Sequence, residues 1–239
     1  DQGVLLAAKG ERLSENHVSK MIQHKLLRPL EECIGLEPVF NAKLLRNQFD
    51  EIFEAHPDVA NVVRVSGADK ALLVCLLSVD NIPIVMQKLT IMAHALPEHF
   101  NRSMINAALS LSLAIYAGQD KKDCMKMFVV SLIENIGYLH LNPALSEELM
   151  PAVELWREFY VHPLVAKKML SKISGVPASI VRGVGDHHER IDGSGFPRMA
   201  DKKQITSLVL HTGLIDELTR LKFSRNENKP AISLKEAMS

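Results

Sequence analysis

Residues 186–197 read "DHHERIDGSGFP", which sets His187 beside His188, follows them with two acids, and closes on a Gly-x-Gly-aromatic-Pro turn. Neighbouring imidazoles at a helix end beside a flexible turn can both reach one centre. His162 precedes Pro163 at what reads as another helix start, and Asp216 lies in a long apolar stretch near the end of the chain. Three imidazoles and a carboxylate suit a borderline or hard transition metal such as iron, zinc or manganese. Taken singly each is weak, because a histidine in a helix is more often a surface or hydrogen-bonded core residue than a ligand. The loop raises the odds: Asp192, Gly193, Ser194, Gly195, Phe196 and Pro197 form a turn whose glycines would let backbone approach a bulky anionic ligand.

The elements that must position these residues read as helices, and an all-α architecture is expected. Residues 99–118 are helical up to Gly118. "DKKDCMKMFVVSLIENIG" gives a second helix that buries Met125, Val129, Leu132 and Ile133 and ends at Gly137. "HPLVAKKMLSKISG" is a third, with Pro163 in its first turn and Gly175 at its exit. "VPASIVRGVGDHHER" is a fourth, and 205–223 a fifth that is apolar on more than one face, which suggests a central position. Ahead of these, residues 1–95 read as a smaller, mostly helical region. It carries a short strand near the start, a helix capped by Ser14, and helical patterns at 41–55, 68–79 and 82–96. A boundary at 95/96 separates a sensing or packing region, 1–95, from the region that carries the chemistry, 96–239.

With 239 residues, of which 47% are hydrophobic, the chain has apolar material for one large or two small domains. Its 28 basic residues balance 28 acidic ones, so no long-range field draws it to a nucleic-acid polymer or an anionic membrane. The run "ALLVCLLSV" at 71–79 is roughly half the length of a membrane span and reads as core, so no membrane insertion is expected. Cys33, Cys75 and Cys124 are odd in number and widely spaced, which fits reduced thiols in a cytoplasmic protein.

"HHERIDGSGFP" resembles the HHExxDGxGYP motif of the HD-GYP domains, helical phosphohydrolases that cleave cyclic di-GMP in bacterial signalling. Phe196 in place of tyrosine is its one departure. The resemblance runs from about residue 99 to the end: "LIENIG" stands where the family has LxHDIGK, "HPLVAKKML" is similar to its His-Pro helix, and "ISLKEAMS" to its closing run. It implies a cluster of two or three metals in active members, with His162, His187, His188 and Asp216 matching four ligand positions. Four other positions do not match. Arg102 stands for the first-helix histidine, Glu134 and Asn135 for the HD pair, and Tyr138 for the lysine after it. A register shifted by three would instead put Gly213 at the late aspartate's place.

These losses have chemical consequences. A neutral amide at Asn135 cannot bridge two cations as a carboxylate does. A guanidinium at Arg102 repels a metal, although it can bind phosphate itself. One transition metal (iron, manganese or zinc) or none is therefore expected, with Glu134 as a substitute ligand, and Arg102 and Glu134 are expected to pair across two packed helices. The expected function is a degenerate HD-GYP-like signalling domain that binds cyclic di-GMP or another signalling domain and has little or no phosphodiesterase activity. In that reading Arg102 and residues 192–197 line the ligand pocket. A divergent one-metal phosphodiesterase, and a purely structural homodimerisation domain, are the alternatives, and no catalytic residue is assigned.

Overall fold

The computed structural model describes residues 6–8, 10–24, 39–141 and 156–223. Every regular element among them is helical, as the patterning predicts. The chain divides into two compact units, Asp1–Val39 and Phe40–Ser239. In the first, α1 (Glu15–Gln23) starts where Ser14 predicts: the Ser14 hydroxyl accepts from the His17 N–H, and the His17 ring returns a contact to the cap. The strand expected at the extreme N-terminus falls mostly outside the described residues. So do Cys33 and "ISLKEAMS".

The second unit holds α2 (Ala42–Ala55), α3 (Pro57–Ser66), α4 (Ala68–Asp80), α5 (Pro83–Ala95), α6 (Pro97–Tyr116), α7 (Lys121–Ile133), a 3-10 helix (Glu134–His140), α8 (Trp156–Leu170), α9 (Ala178–Asp186) and α10 (Ser207–Phe223). The boundary expected at 95/96 falls inside this unit, because α2 to α5 pack on α6. The sequence reading passed over α3, although Pro57 at its first position and left-handed Gly67 at its end mark it. Pro83 and Pro97 open α5 and α6 in the same way, where a missing N–H costs no helical hydrogen bond.

Helix α6 is the centre. From Arg102 to Ser112 every residue is buried, and α2, α3, α4, α5, α7, α10 and the 3-10 helix all pack against this helix. Small residues such as Ser103, Ala107, Ala108 and Ser110 let neighbours approach closely, and the Ser110 and Ser131 hydroxyls bond across to α7 at 2.8 Å. Phe49, Phe100 and Phe128 are wholly buried, each adding about 1.5–3 kcal/mol of hydrophobic stabilisation. The inward arc of α7 runs through Cys124, Met127, Phe128 and Ser131, so Met125, expected in the core, is only half-buried.

Three expected helix limits shift near the site. Helix α7 gives way to 3-10 geometry at Glu134 and continues past Gly137. Helix α9 stops at Asp186, before the histidine pair. Pro163 lies inside α8 and not in its first turn, so His162 is a mid-helix residue. Helix α10 buries Asp216 and Thr219 on one face but leaves Leu210, Leu214 and Leu221 exposed on another, so its apolar character does not make it central. Among the described residues no single helix is long and apolar enough to cross a membrane; α4 and α5 together meet that test but are bent by 109°.

A three-histidine candidate site beside a buried guanidinium

His162, His187 and His188 are all buried, and one ring nitrogen of each lies within 4.8 Å of the others. Backbone carbonyls set the first two rings. His162 Nδ1 lies 2.6 Å from the Phe159 oxygen, and His187 Nδ1 lies 2.6 Å from the Val184 oxygen in the last turn of α9. A carbonyl only accepts, so Nδ1 is the N–H end of each ring. In a neutral imidazole Nε2 is then the lone-pair end, and these two Nε2 atoms face each other at 3.3 Å.

Burial holds all three histidines below the ordinary value of 6.5, with their mutual repulsion adding to the shift for His162 and His188. Neutral rings are what a metal requires. Facing lone pairs at this distance repel unless a cation lies between them. Two nitrogens bound to one tetrahedral ion at about 2.05 Å stand about 3.3 Å apart, which is the spacing found. His188 Nε2 is buried without a hydrogen-bond partner, and its Nδ1 is 3.9 Å from Asp216 Oδ2. The three rings therefore fit a transition ion.

The loop after the pair covers His188. Phe196 stacks on that ring at 4.4 Å, the Phe196 N–H donates to the His188 oxygen at 3.2 Å, and Tyr160 meets Phe196 edge-on. Asp192 accepts from the Ser194 N–H and hydroxyl, which closes the turn around left-handed Gly193, and the Phe196–Pro197 bond is cis. Gly195 has a use different from the one expected of it: a Cβ there would lie 2.2 Å from the Arg190 nitrogen, so its open side is filled by the loop's own backbone.

Two acids that sequence reasoning left out fasten this loop. Buried Glu189 accepts the N–H groups of Arg198 and Ala200, each at 2.7 Å, and buried Asp186 takes the Arg198 guanidinium at 2.7 and 3.1 Å. Both flank the histidine pair, so their position in the motif was the available signal.

The rest of the predicted set gathers around Arg102. This buried guanidinium donates to Asn135 Oδ1 at 3.2 Å, lies 3.8 Å from Asp216 Oδ1, and bonds Tyr138. The pairing expected between Arg102 and Glu134 is not the contact found. Glu134 instead accepts from Asn106 Nδ2 at 2.7 Å, and the same amide donates to Asp216 at 2.9 Å. Asn106 lies one turn after Arg102 on α6, a spacing from which the sequence could have named it. Gly213 packs on the His187 carbonyl, where a Cβ would sit 2.4 Å from the oxygen; it is Asp216, one turn later, that reaches the site.

Electrostatics separates the two acids. Burial and the nearby Asp216 charge hold Glu134 well above the usual carboxylate range, against the pull of its Asn106 hydrogen bond and of Arg102. Burial pushes Asp216 up as well, but the Arg102 guanidinium, helped by the Asn106 hydrogen bond, outweighs it and the carboxyl is held below the usual value. Asn135 donates to Ser103 at 3.1 Å. Tyr138, at the position of the missing lysine, is sandwiched between His99 and His162 at 4.4 and 4.2 Å. The site thus places neutral histidines on one side and a neutralised Asp216–Arg102 pair on the other.

A family model described as "HD domain" matches residues 87–238. Among solved structures, the chain is similar to Bd1817, an HDG"Y"P protein from Bdellovibrio bacteriovorus. The two are 20% identical with a TM-score of 0.47, over 82% of this chain and 63% of that one, so this chain spans less than two thirds of that protein. No curated protein matches.

Proposed function

This chain belongs to the HD domain family, and from that premise we propose a catalytically degenerate HD-GYP-like signalling domain, which binds a ligand or a partner through a site holding a single transition metal. The reading is carried by one observation: Arg102 lies within 4 Å of both Asp216 and Asn135. Guanidinium does not lose its proton in proteins, so a second cation would have to enter beside a fixed positive charge. Asn135 brings no charge to offset it, and burial disfavours the charged form of Glu134.

His162, His187 and His188 would hold the metal, with Asp216 the nearest carboxylate. A bound ion would supply Lewis acidity toward a phosphate oxygen. The chain's own residues do the rest. Phe196 shields the His188 edge of the site, Asp186 and Glu189 fix the loop that carries it, and Arg102 offers a fixed charge to an anion. Among the described residues, the carboxylate within 4 Å of a site histidine is Asp216, and Arg102 holds it, which favours binding over turnover. The motif at 187–197 makes cyclic di-GMP the ligand to try first. The buried free thiols of Cys75 and Cys124 fit a reducing, cytoplasmic setting.

The test combines elemental analysis of the purified protein with cyclic di-GMP binding and hydrolysis assays. One metal per chain with binding and no cleavage is the expected result. Turnover with two metals per chain overturns the reading. Turnover with one metal makes the chain a divergent phosphodiesterase, and neither metal nor nucleotide binding makes it an interaction or homodimerisation domain.

A further inference from the structure

We propose that Pro163 is a positioning residue: lacking an N–H, it leaves the Phe159 carbonyl to His162 Nδ1 and so holds that ring with a bare Nε2 toward His187 and His188. The inference rests on the one-metal reading only where it concerns metal affinity. Its argument begins with the helix. Pro57, Pro83 and Pro97 each sit at a helix start, where proline is tolerated, whereas Pro163 sits inside α8, the position where proline is most costly. A helical N–H at position 163 would donate to the oxygen four residues back, which belongs to Phe159. That oxygen is the one His162 Nδ1 approaches at 2.6 Å.

The ring's other restraints do not make this choice. Tyr138 stacks on His162 at 4.2 Å and 16°, which fixes the plane of the imidazole but not which edge points to the cluster. The His162 carbonyl lies where a Cβ on Gly137 would stand, at 2.1 Å, which fixes the backbone and again not the ring edge. Only the bond to Phe159 selects both edge and tautomer. A metal-bound histidine whose second nitrogen is hydrogen-bonded in this way is the usual means of orienting the ligand. Here the acceptor becomes available because a proline lacks its donor.

The test uses Pro163→Ala and Pro163→Val in the whole chain. Both restore the N–H, and valine keeps most of the ring's bulk. Long-range nitrogen–proton NMR of the metal-free protein at pH 7 reads the His162 tautomer directly, since burial keeps the ring neutral there. Cobalt(II) titration followed by visible absorption reads affinity. The wild-type ring should be the Nδ1–H tautomer; in both variants His162 should become a mixture, and cobalt should bind about 10-fold more weakly. A wild-type ring in the Nε2–H form overturns the proposal before any variant is made. A loss in alanine but not in valine overturns it too, since that would be a packing effect, as does an unchanged tautomer with affinity within twofold. If the wild type binds no cobalt, the one-metal reading falls and the NMR result alone decides the role of Pro163.

Discussion

Replacing Arg102 with methionine keeps the aliphatic stem and removes the charge, which leaves Asp216 as a buried anion. Asp216 is 1% exposed and Arg102 3%, so water cannot take over the role of the lost partner. Breaking a buried pair from one side costs about 3–5 kcal/mol. The stranded carboxyl can also escape by taking a proton, which sets a ceiling on the loss. From its ordinary value of 3.8, protonation at pH 7 costs (7.0 − 3.8) × 1.36, or about 4 kcal/mol, and at pH 5 only about 1.6 kcal/mol. In the variant the folded value lies above the unfolded one, so folding retains the proton and the deficit grows as pH rises. Arg102 also lowers His187 and His188, and losing it eases their protonation in acid, which works in the same direction. Thermal melts should show a drop of roughly 6–16 °C at pH 7, at about 2–4 °C per kcal/mol for a chain of this size, and less than half that at pH 5. Arg102→Met combined with Asp216→Asn should recover most of the loss. A deficit under about 1 kcal/mol at pH 7, or one independent of pH, refutes the charge pairing.

Glu134→Gln should stabilise the protein, because glutamine mimics the protonated acid and its oxygen still accepts from Asn106. A folded value raised above 4.5 means that stability is lost as pH rises, so the gain should vanish below about pH 4.5 and reach at most about 3 kcal/mol at pH 7, as read by urea unfolding. Glu189→Ala removes the acceptor of two backbone N–H groups and should cost about 3 kcal/mol, with early proteolysis between Arg190 and Ala200; resistance equal to wild type would count against the fastening role. On the one-metal reading, metal and an anionic nucleotide should each tighten the other's binding, and calorimetric titrations in which the nucleotide affinity is the same with and without metal would exclude that coupling.

Helical periodicity was enough for most of the fold, because α2, α4, α5, α6 and α10 each present a continuous buried arc. It failed where a local rule was overridden by packing. His-Pro reads as a helix start because proline is favoured there, yet α8 runs through Pro163 with the Phe159 carbonyl met by a side chain. The second helix reads as ending at Gly137, but that glycine is there because α8 passes within 2.1 Å of where its Cβ would be. Within the site, His187 and His188 were legible from the motif, since neighbours in sequence with a loop on one side have few places to go, and His162 from the His-Pro pair on another helix. The partner of Arg102 was not legible. Asp216 lies far along the chain, and only the packing of α10 against α6 brings it there in place of Glu134.

The charge balance explains why that substitution of partners matters. Burial disfavours charge on the three imidazoles and on Glu134, and Asn135 carries none, so the opposed charges in contact at the centre are those of Asp216 and Arg102. On the proposed reading, a divalent ion on the histidines would meet Asp216 already paired with Arg102, and a second ion would have to displace a guanidinium that cannot deprotonate. The first ion keeps most of its charge in a buried setting, where charge is costly to leave uncompensated. A phosphate ester is an anion able to offset it, approached from the side that Phe196 and its loop border. On the proposed reading, a single arginine on α6 is what favours holding an ester over splitting it between two metals.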